Sequence, residues 1–485
     1  MEIKLAGFNI ETEQMENLHK VDKKLLTPEI FSSAYARISR SKKSITELRS
    51  DARADVEKAR KSNKKIIFDM GHHSVAEHAV FNFDLIDISR LALENIERFR
   101  LVSYTEKSQR YVTLKGDFHI PNEYTDQNLK RRYLEVINLQ NNLYKQLFAL
   151  LKDYIFSKHP KLASDKKNKS LLEGWAKEDA RYILSLATFG QLGMTINARN
   201  LEHMFRNFEL SKISEVREVG KKLYDMVNKV APSIILFPEP STFESDISSS
   251  FKSNFDSHIG SNISDDPEII EFQKNGDDRI LASFLSIYNS MNFNSSLKKV
   301  SSITAEEKRN IYLDMFKNME FFDTPPRNFE FAHITFQVAV SASNFAQLKR
   351  HRMTSLLQSD YEIKLGNTVP ENIKNIGMNN EFKEVIKETN SIYLDLRNKF
   401  GSSANYILTN SHRRNVIMKM NLREAFHFIR LRSDKHAQWD IKNLSDKLLI
   451  KIKKLFPLST ILLNGKHEYV ENFEKIYNKK PKFNI

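Results

Sequence analysis

Gln347-Leu348-Lys349-Arg350-His351-Arg352-Met353-Thr354-Ser355 has a fainter copy about half the chain earlier, Arg98-Phe99-Arg100-Leu101-Val102-Ser103. The copy runs on through Tyr104-Thr105-Glu106-Lys107-Ser108-Gln109-Arg110-Tyr111. Both stretches read R-x-R-x-x-S, and each ends an apolar helical pattern that follows a strand pattern. Two guanidiniums two residues apart, with a hydroxyl three residues on, make a compact anion site. Arginine supplies planar, permanently charged, bidentate donors suited to phosphate. A single such hexapeptide reads more readily as a solvated basic helix end. Its recurrence in matching surroundings favours a site.

The surroundings match in order. Gly71-His72-His73-Ser74-Val75-Ala76-Glu77-His78 is a tight polar turn that enters an alternating strand, with Ala79, Phe81, Phe83 and Leu85 on one face. The helix predicted over 89–99 delivers the first R-x-R. A long amphipathic helix is predicted over 124–155, with Leu134, Val136, Leu139, Leu143 and Leu147 near its core face. A polar loop over 164–170 and a helix over 171–188 carrying Arg181 follow, and Met194-Thr195-Ile196-Asn197-Ala198-Arg199 opens a further helix. At Phe237-Pro238-Glu239-Pro240 the composition turns rich in Ser, Asp and Asn, as far as Asp266-Pro267. Beyond it, Ile280–Phe284 echoes Ile30–Ala34, Ile334–Val338 echoes the strand at Val80, and Met418–Arg423 echoes Met194–Arg199. Landmarks repeated in one order mark an internal duplication. The division expected is 1–236, a linker over 237–268, and 269–485.

Composition narrows the function. The 485 residues are too many for one ordinary core. No apolar run is long enough to span a bilayer, and the first residues lack a secretory h-region, so a cytoplasmic protein without membrane attachment is expected. There is no cysteine, which excludes disulfides, cysteine–zinc sites and thiolate catalysis. The net charge of +14 is spread in short lysine runs without interleaved aromatics, which argues against nucleic acid as a partner. Three histidines and Glu77 in one turn lack the spacing of a metal site, so no metal is expected.

These motifs together resemble the flavin-dependent thymidylate synthases (ThyX). R-H-R-x-x-S, the upstream G-H-x-S-x-x-E-H turn and the downstream N-x-R are similar to that family's signatures. So is Arg432-Ser433-Asp434-Lys435-His436-Ala437-Gln438-Trp439-Asp440, which resembles R-x-D-x-H-A-Q-W-E. The resemblance covers most of each half and fades in the central tract. It implies an α/β (α+β) fold of two tandem units, each a small, mainly antiparallel sheet with long helices. It also implies reductive methylation of dUMP to dTMP, with methylenetetrahydrofolate giving the carbon, NADPH the electrons, and bound FAD carrying the hydride. No enzyme nucleophile is needed, in keeping with a chain that has no cysteine.

Carried over by position, the resemblance assigns residues unequally. To FAD it gives Ser74, Glu106, Arg350, His351, Arg352, Asn421, Arg423 and His427. To dUMP it gives Gln347, Arg350, Glu106, Ser108, Arg110, Arg181 and Arg432, with Arg432 the catalytic cation that stabilises an ionised uracil. The counterparts of Arg350-His351-Arg352 and Arg432 in the first half are Arg98-Phe99-Arg100 and Phe208. The loop 356–361 lacks the arginine found at Arg110, and Arg181 is matched by Asn405. Because the losses are complementary, one intact composite site between unlike halves is expected, in a homodimer that mimics the family's tetramer. The competing reading is a catalytically decayed flavin- or nucleotide-binding relative.

Overall fold

The computed structural model describes residues 1–16, 26–112, 116–254 and 263–483. It forms two compact units. One comprises Met1–Gly260 with Pro370–Thr409, and the other Ser261–Val369 with Asn410–Ile485.

Unit 1 is built on a four-stranded antiparallel sheet: β1 (Glu2–Phe8), β2 (Val80–Ser89), β3 (Ser103–Glu106) and β4 (Phe189–Asn197), in the order β1-β2-β4-β3. Unit 2 repeats it with β5 (Glu268–Phe272), β6 (His333–Ser341), β7 (Ser355–Tyr361) and β8 (Arg413–Asn421), in the order β5-β6-β8-β7. The register repeats as well. Phe83 lies opposite Met194 and Phe336 opposite Met418, while Val80 faces Asn197 and His333 faces Asn421. Alternation puts Phe81, Phe83 and Leu85 in the core of unit 1, all essentially buried, with Ile334, Phe336 and Val338 serving unit 2.

One irregularity explains a mismatch between the copies. Phe83 stands 15 residues before Arg98, but Phe336 only 14 before Arg350. The register of β2 slips between Ile86 and Ile88, where Asp87 adopts φ 55°, whereas β6 pairs with β8 without a slip. The extra residue is a β-bulge.

After β2 and β6 the chain turns into a short helix, Arg90–Ile96 or Ala342–Leu348. The corner is held identically in both. Ser89 caps its helix, accepting from the Ala92 amide, and its hydroxyl donates to Glu215 at 2.5 Å. Ser341 accepts from the Asn344 amide and donates to Asp440 at 2.5 Å. Each acid sits in the first turn of a later helix, Ser214–Val230 or Trp439–Leu455.

Several elements differ from the sequence expectation. The long helix runs Gln127–Lys158, because Asp126 caps it through the Asn128 and Leu129 amides. Leu139 is exposed, lying off the buried stripe of Val136, Leu143 and Leu147. The helix expected over 171–188 is Lys169–Ala180, and Arg181–Ile183 form a separate tight turn. That helix takes up the end of the expected 164–170 loop. Residues 194–197 finish β4, and the helix begins at Ala198. The stretch 356–361, read as a loop, belongs to the edge strand β7, and Ser103–Glu106 form its counterpart β3. In the expected linker a helix spans Thr242–Asn254, and 255–262 lie outside the described residues. Residues 370–409, second-repeat by sequence, pack within unit 1. Their helix Asn379–Phe400 lies along Gln127–Lys158, where Gln140 donates to Thr389 at 2.8 Å and Arg132 pairs with Asp395 at 2.6 Å.

The corner bond gives a stability prediction. Ser89→Ala removes both the cap and a hydrogen bond to a buried carboxylate, so unit 1 should lose about 2 kcal/mol. Native-state hydrogen exchange of the β2 amides should read that loss directly.

Candidate functional site

Helix Ala342–Leu348 ends in the turn that carries the second motif. Backbone bonds from Arg350 to Gln347 and from His351 to Leu348 wind it tightly. His351 therefore points inward, 3% exposed, while Arg350 and Arg352 face outward. Opposite lies helix Leu422–Arg432, which Asn421 caps by accepting from the Glu424 amide at 2.9 Å.

His351 is held between two side chains of that helix. Arg432 Nε donates to His351 Nε2 at 2.8 Å, and His351 Nδ1 lies 3.3 Å from Glu424 Oε1. Arg432 also donates to the Gln347 carbonyl at 3.4 Å. Gln347 itself is buried and donates to Gln438 at 3.1 Å. Burial, then the Arg432 cation, then His427 hold the His351 pKa well below its ordinary value, so the ring is neutral at neutral pH. The His351–Glu424 approach is thus a hydrogen bond and not an ion pair. The unfolded chain protonates this histidine near pH 6.5 and the fold does not, so the site lowers stability as pH drops below that value.

Arg350, Arg352, Arg423 and His427 line a cleft of about 310 Å³ with Asn421, Thr324, Met353, Glu330 and Glu424. Arg423 is tethered, donating to the Pro325 carbonyl at 2.9 Å and pairing with Glu330 at 3.3 Å. Hydrogen bonding from Arg327 holds the Glu330 carboxyl below its ordinary range, with Arg423 adding to the effect. A second lobe of about 220 Å³ shares Thr324 and His427 and is walled by Phe321, Phe322 and Phe426, with Arg430 and Lys466.

Unit 1 gathers a different set. Arg110 pairs with Glu178 at 2.5 Å, and Ser108 accepts from the Arg110 amide at 3.1 Å. Arg181 is buried, and burial pushes its pKa down; Glu178 favours its charge while Arg110 and Arg90 oppose it. Arg110 and Arg181, far apart in sequence, thus share one acid. Glu106 ends β3 half-buried, and Ser74 is exposed on the turn His73–His78. Glu77 on that turn is occupied by Arg199 at 2.5 Å. Among the described residues no cluster of side chains is arranged to hold a metal ion.

Where unit 2 has His351 and Arg432, unit 1 packs Phe99 against Phe208, ring centroids 5.8 Å apart, with His203 5.6 Å from Phe99. Both phenyl rings are buried. Phe208 seats directly on Gly220, where an added Cβ would fall 3.1 Å from the ring's own Cβ.

Comparison with known proteins follows the duplication. The profile of the family described as thymidylate synthase complementing protein matches residues 23–233 and again 268–458. The chain belongs to this family. Its thymidylate synthase complementing domain occurs twice, and relatives divide accordingly. A UPF0159 protein of Thermoplasma acidophilum is 24% identical over 81% of this chain and 86% of its own. A UPF0159 protein of Chlamydia muridarum is 20% identical over 84% and 81%. A flavin-dependent thymidylate synthase of Clostridium tetani is 28% identical over 44% of this chain and 83% of its own, as a single-copy relative would be.

Sequence reasoning passed over Glu424, which occupies the third position of its helix and reads there as an ordinary helix-start acid. The available signal was its counterpart Asn200, which differs just where Phe99 and Phe208 differ. Phe208→Arg should destabilise unit 1 by about 3 kcal/mol or more, since it buries an unpaired cation. Adding Phe99→His should recover about 1–2 kcal/mol through the coupling seen in unit 2. Hydrogen exchange in β2 and β4 checks the cycle.

Proposed function

We propose that the chain is a flavin-dependent thymidylate synthase converting dUMP to dTMP, and that unit 2 carries its working flavin site. The observation that supports this most is the pairing of buried His351 with Arg432 beside a cleft lined by Arg350, Arg352 and Arg423. The donor set fits a group that brings a pyrophosphate and a planar ring. Three guanidiniums face the cleft, and the adjoining lobe is aromatic.

In this reading Arg350 and Arg352 hold phosphate oxygens as exposed, bidentate donors. Arg432 is the cation that stabilises negative charge on the uracil when the ring is activated. It is held in advance by His351 and the Gln347 carbonyl, so it needs little reorganisation as charge develops. His351 stays neutral and holds no proton at Nε2, leaving that nitrogen free to receive Arg432. Asn421 acts first as a helix cap, and Arg423 is oriented by Glu330. Glu106, Ser108, Arg110 and Arg181 are proposed as dUMP ligands. Ser74 and His427 are proposed to touch the flavin. A bound flavin supplies the hydride carriage that no side chain offers, with methylenetetrahydrofolate and NADPH as co-substrates.

NADPH oxidation coupled to dTMP formation separates this reading from a flavin-binding relative without turnover. Arg432→Ala should lower kcat by roughly 10²–10³ while flavin content stays near that of the parent. A rate within about threefold of the parent would remove Arg432 from catalysis.

The Phe99–Phe208 packing in unit 1 leads to a stoichiometry. One flavin per chain is expected by absorbance, and Arg352→Ala should loosen it by about 1.5–3 kcal/mol. Two flavins per chain would show that unit 1 also binds.

A further inference from the structure

Glu424, His351 and Arg432 form a line of hydrogen bonds whose direction is fixed by chemistry. A guanidinium has no acceptor, so His351 Nε2, 2.8 Å from Arg432 Nε, must carry a lone pair. A neutral imidazole has one N–H, which then sits on Nδ1, and its acceptor is Glu424 Oε1 at 3.3 Å. We propose that Glu424 is a positioning residue: it fixes the His351 tautomer and, through that ring, the aim of Arg432. The proposal rests on the reading of unit 2 as the synthase site for its consequence, but not for its geometry.

The surroundings favour this arrangement. His351 faces Arg432, Glu424 and His427 from the helix, with His427 5.6 Å away ring to ring and Phe428 at 4.6 Å. Glu424 is 7% exposed and faces His351, His427, Arg423 and the Thr354 hydroxyl, which lies 3.5 Å away. Burial raises the Glu424 carboxyl above its ordinary range, and His427, Thr354 and Arg423 oppose that rise. A carboxylate is costly to bury without partners, so its place here calls for a reason.

A purely structural reason is answered by unit 1. There Asn200 stands where Glu424 does, and its amide still donates to the capping Asn197 at 3.0 Å. The fold therefore keeps its helix start without the carboxylate. In the same unit His351 is matched by Phe99 and Arg432 by Phe208, so all three members of the line are replaced together. An acid needed only for folding would have no cause to change with the other two.

The test reads the His351 ring nitrogens by ¹⁵N–¹H NMR in the full chain, with the signal assigned by its loss in His351→Gln. The parent should show the proton on Nδ1 and a bare Nε2. Glu424→Gln keeps an acceptor oxygen and should keep that form. Glu424→Leu has no acceptor for the Nδ1 proton, so the proton should redistribute towards Nε2 and release Arg432 from the ring, with kcat for dTMP formation falling about tenfold. A parent ring protonated on Nε2, a shift to Nε2 in Glu424→Gln, or an unchanged Nδ1 proton in Glu424→Leu overturns the proposal. A parent chain that forms no dTMP would overturn the functional reading alone, because the ring measurement decides the relay without turnover.

Discussion

A buried serine hydroxyl donating to a carboxylate sets the geometry on which each unit depends. At Ser89 and again at Ser341 the chain leaves a strand and must start a helix at once. The serine oxygen satisfies a helix amide while its proton goes to Glu215 or Asp440. One side chain therefore ties strand, short helix and a distant later helix together. Because the helix after Ser341 is only seven residues long, its start fixes its end, and its end is where Arg350-His351-Arg352 turns. Moving that corner by one residue would rotate His351 by about 100° away from Glu424 and Arg432.

The duplication separates what both units keep from what distinguishes them. Strand order, the serine corner and the asparagine cap are common to both units. Each of these satisfies backbone groups or fills the core, and neither unit could lose them cheaply. The differences gather at the end of the short helix and on the facing helix. There unit 2 has a polar line leading to a cleft and unit 1 has two phenyl rings packed edge to face. The same backbone supports either filling.

Much of this was legible in the sequence. The alternation of Phe81, Phe83 and Leu85, the repeated landmarks and the paired R-x-R stretches gave the strands, the duplication and the cation cluster, because those features follow from local periodicity and residue type. Other features depend on partners distant in the chain. Leu139 carries the right residue type for a core stripe but falls on the solvent side, which only the packing of a 32-residue helix decides. Residues 356–361 read as a loop because an edge strand is specified by its neighbour, here β8. The packing of 370–409 within unit 1 has no local signature, since Gln140 and Thr389 are ordinary polar residues until they meet. Glu424 was hidden for the same reason: its meaning lies in a histidine 73 residues earlier.

The two fillings of the one backbone also limit how one could change into the other. A guanidinium in the place of Phe208 would face the Phe99 ring where Arg432 meets the His351 nitrogen, and a buried unpaired cation costs several kcal/mol. A phenyl ring in the place of His351 would leave Arg432 without its Nε2 acceptor and Glu424 as a buried acid without its ring donor. Each single step is therefore worse than either end state, because every member of the polar line satisfies the next. Charge and hydrogen bonding come as a set of three at this position. That is the physical reason that Phe99, Asn200 and Phe208 stand together in one unit while His351, Glu424 and Arg432 stand together in the other.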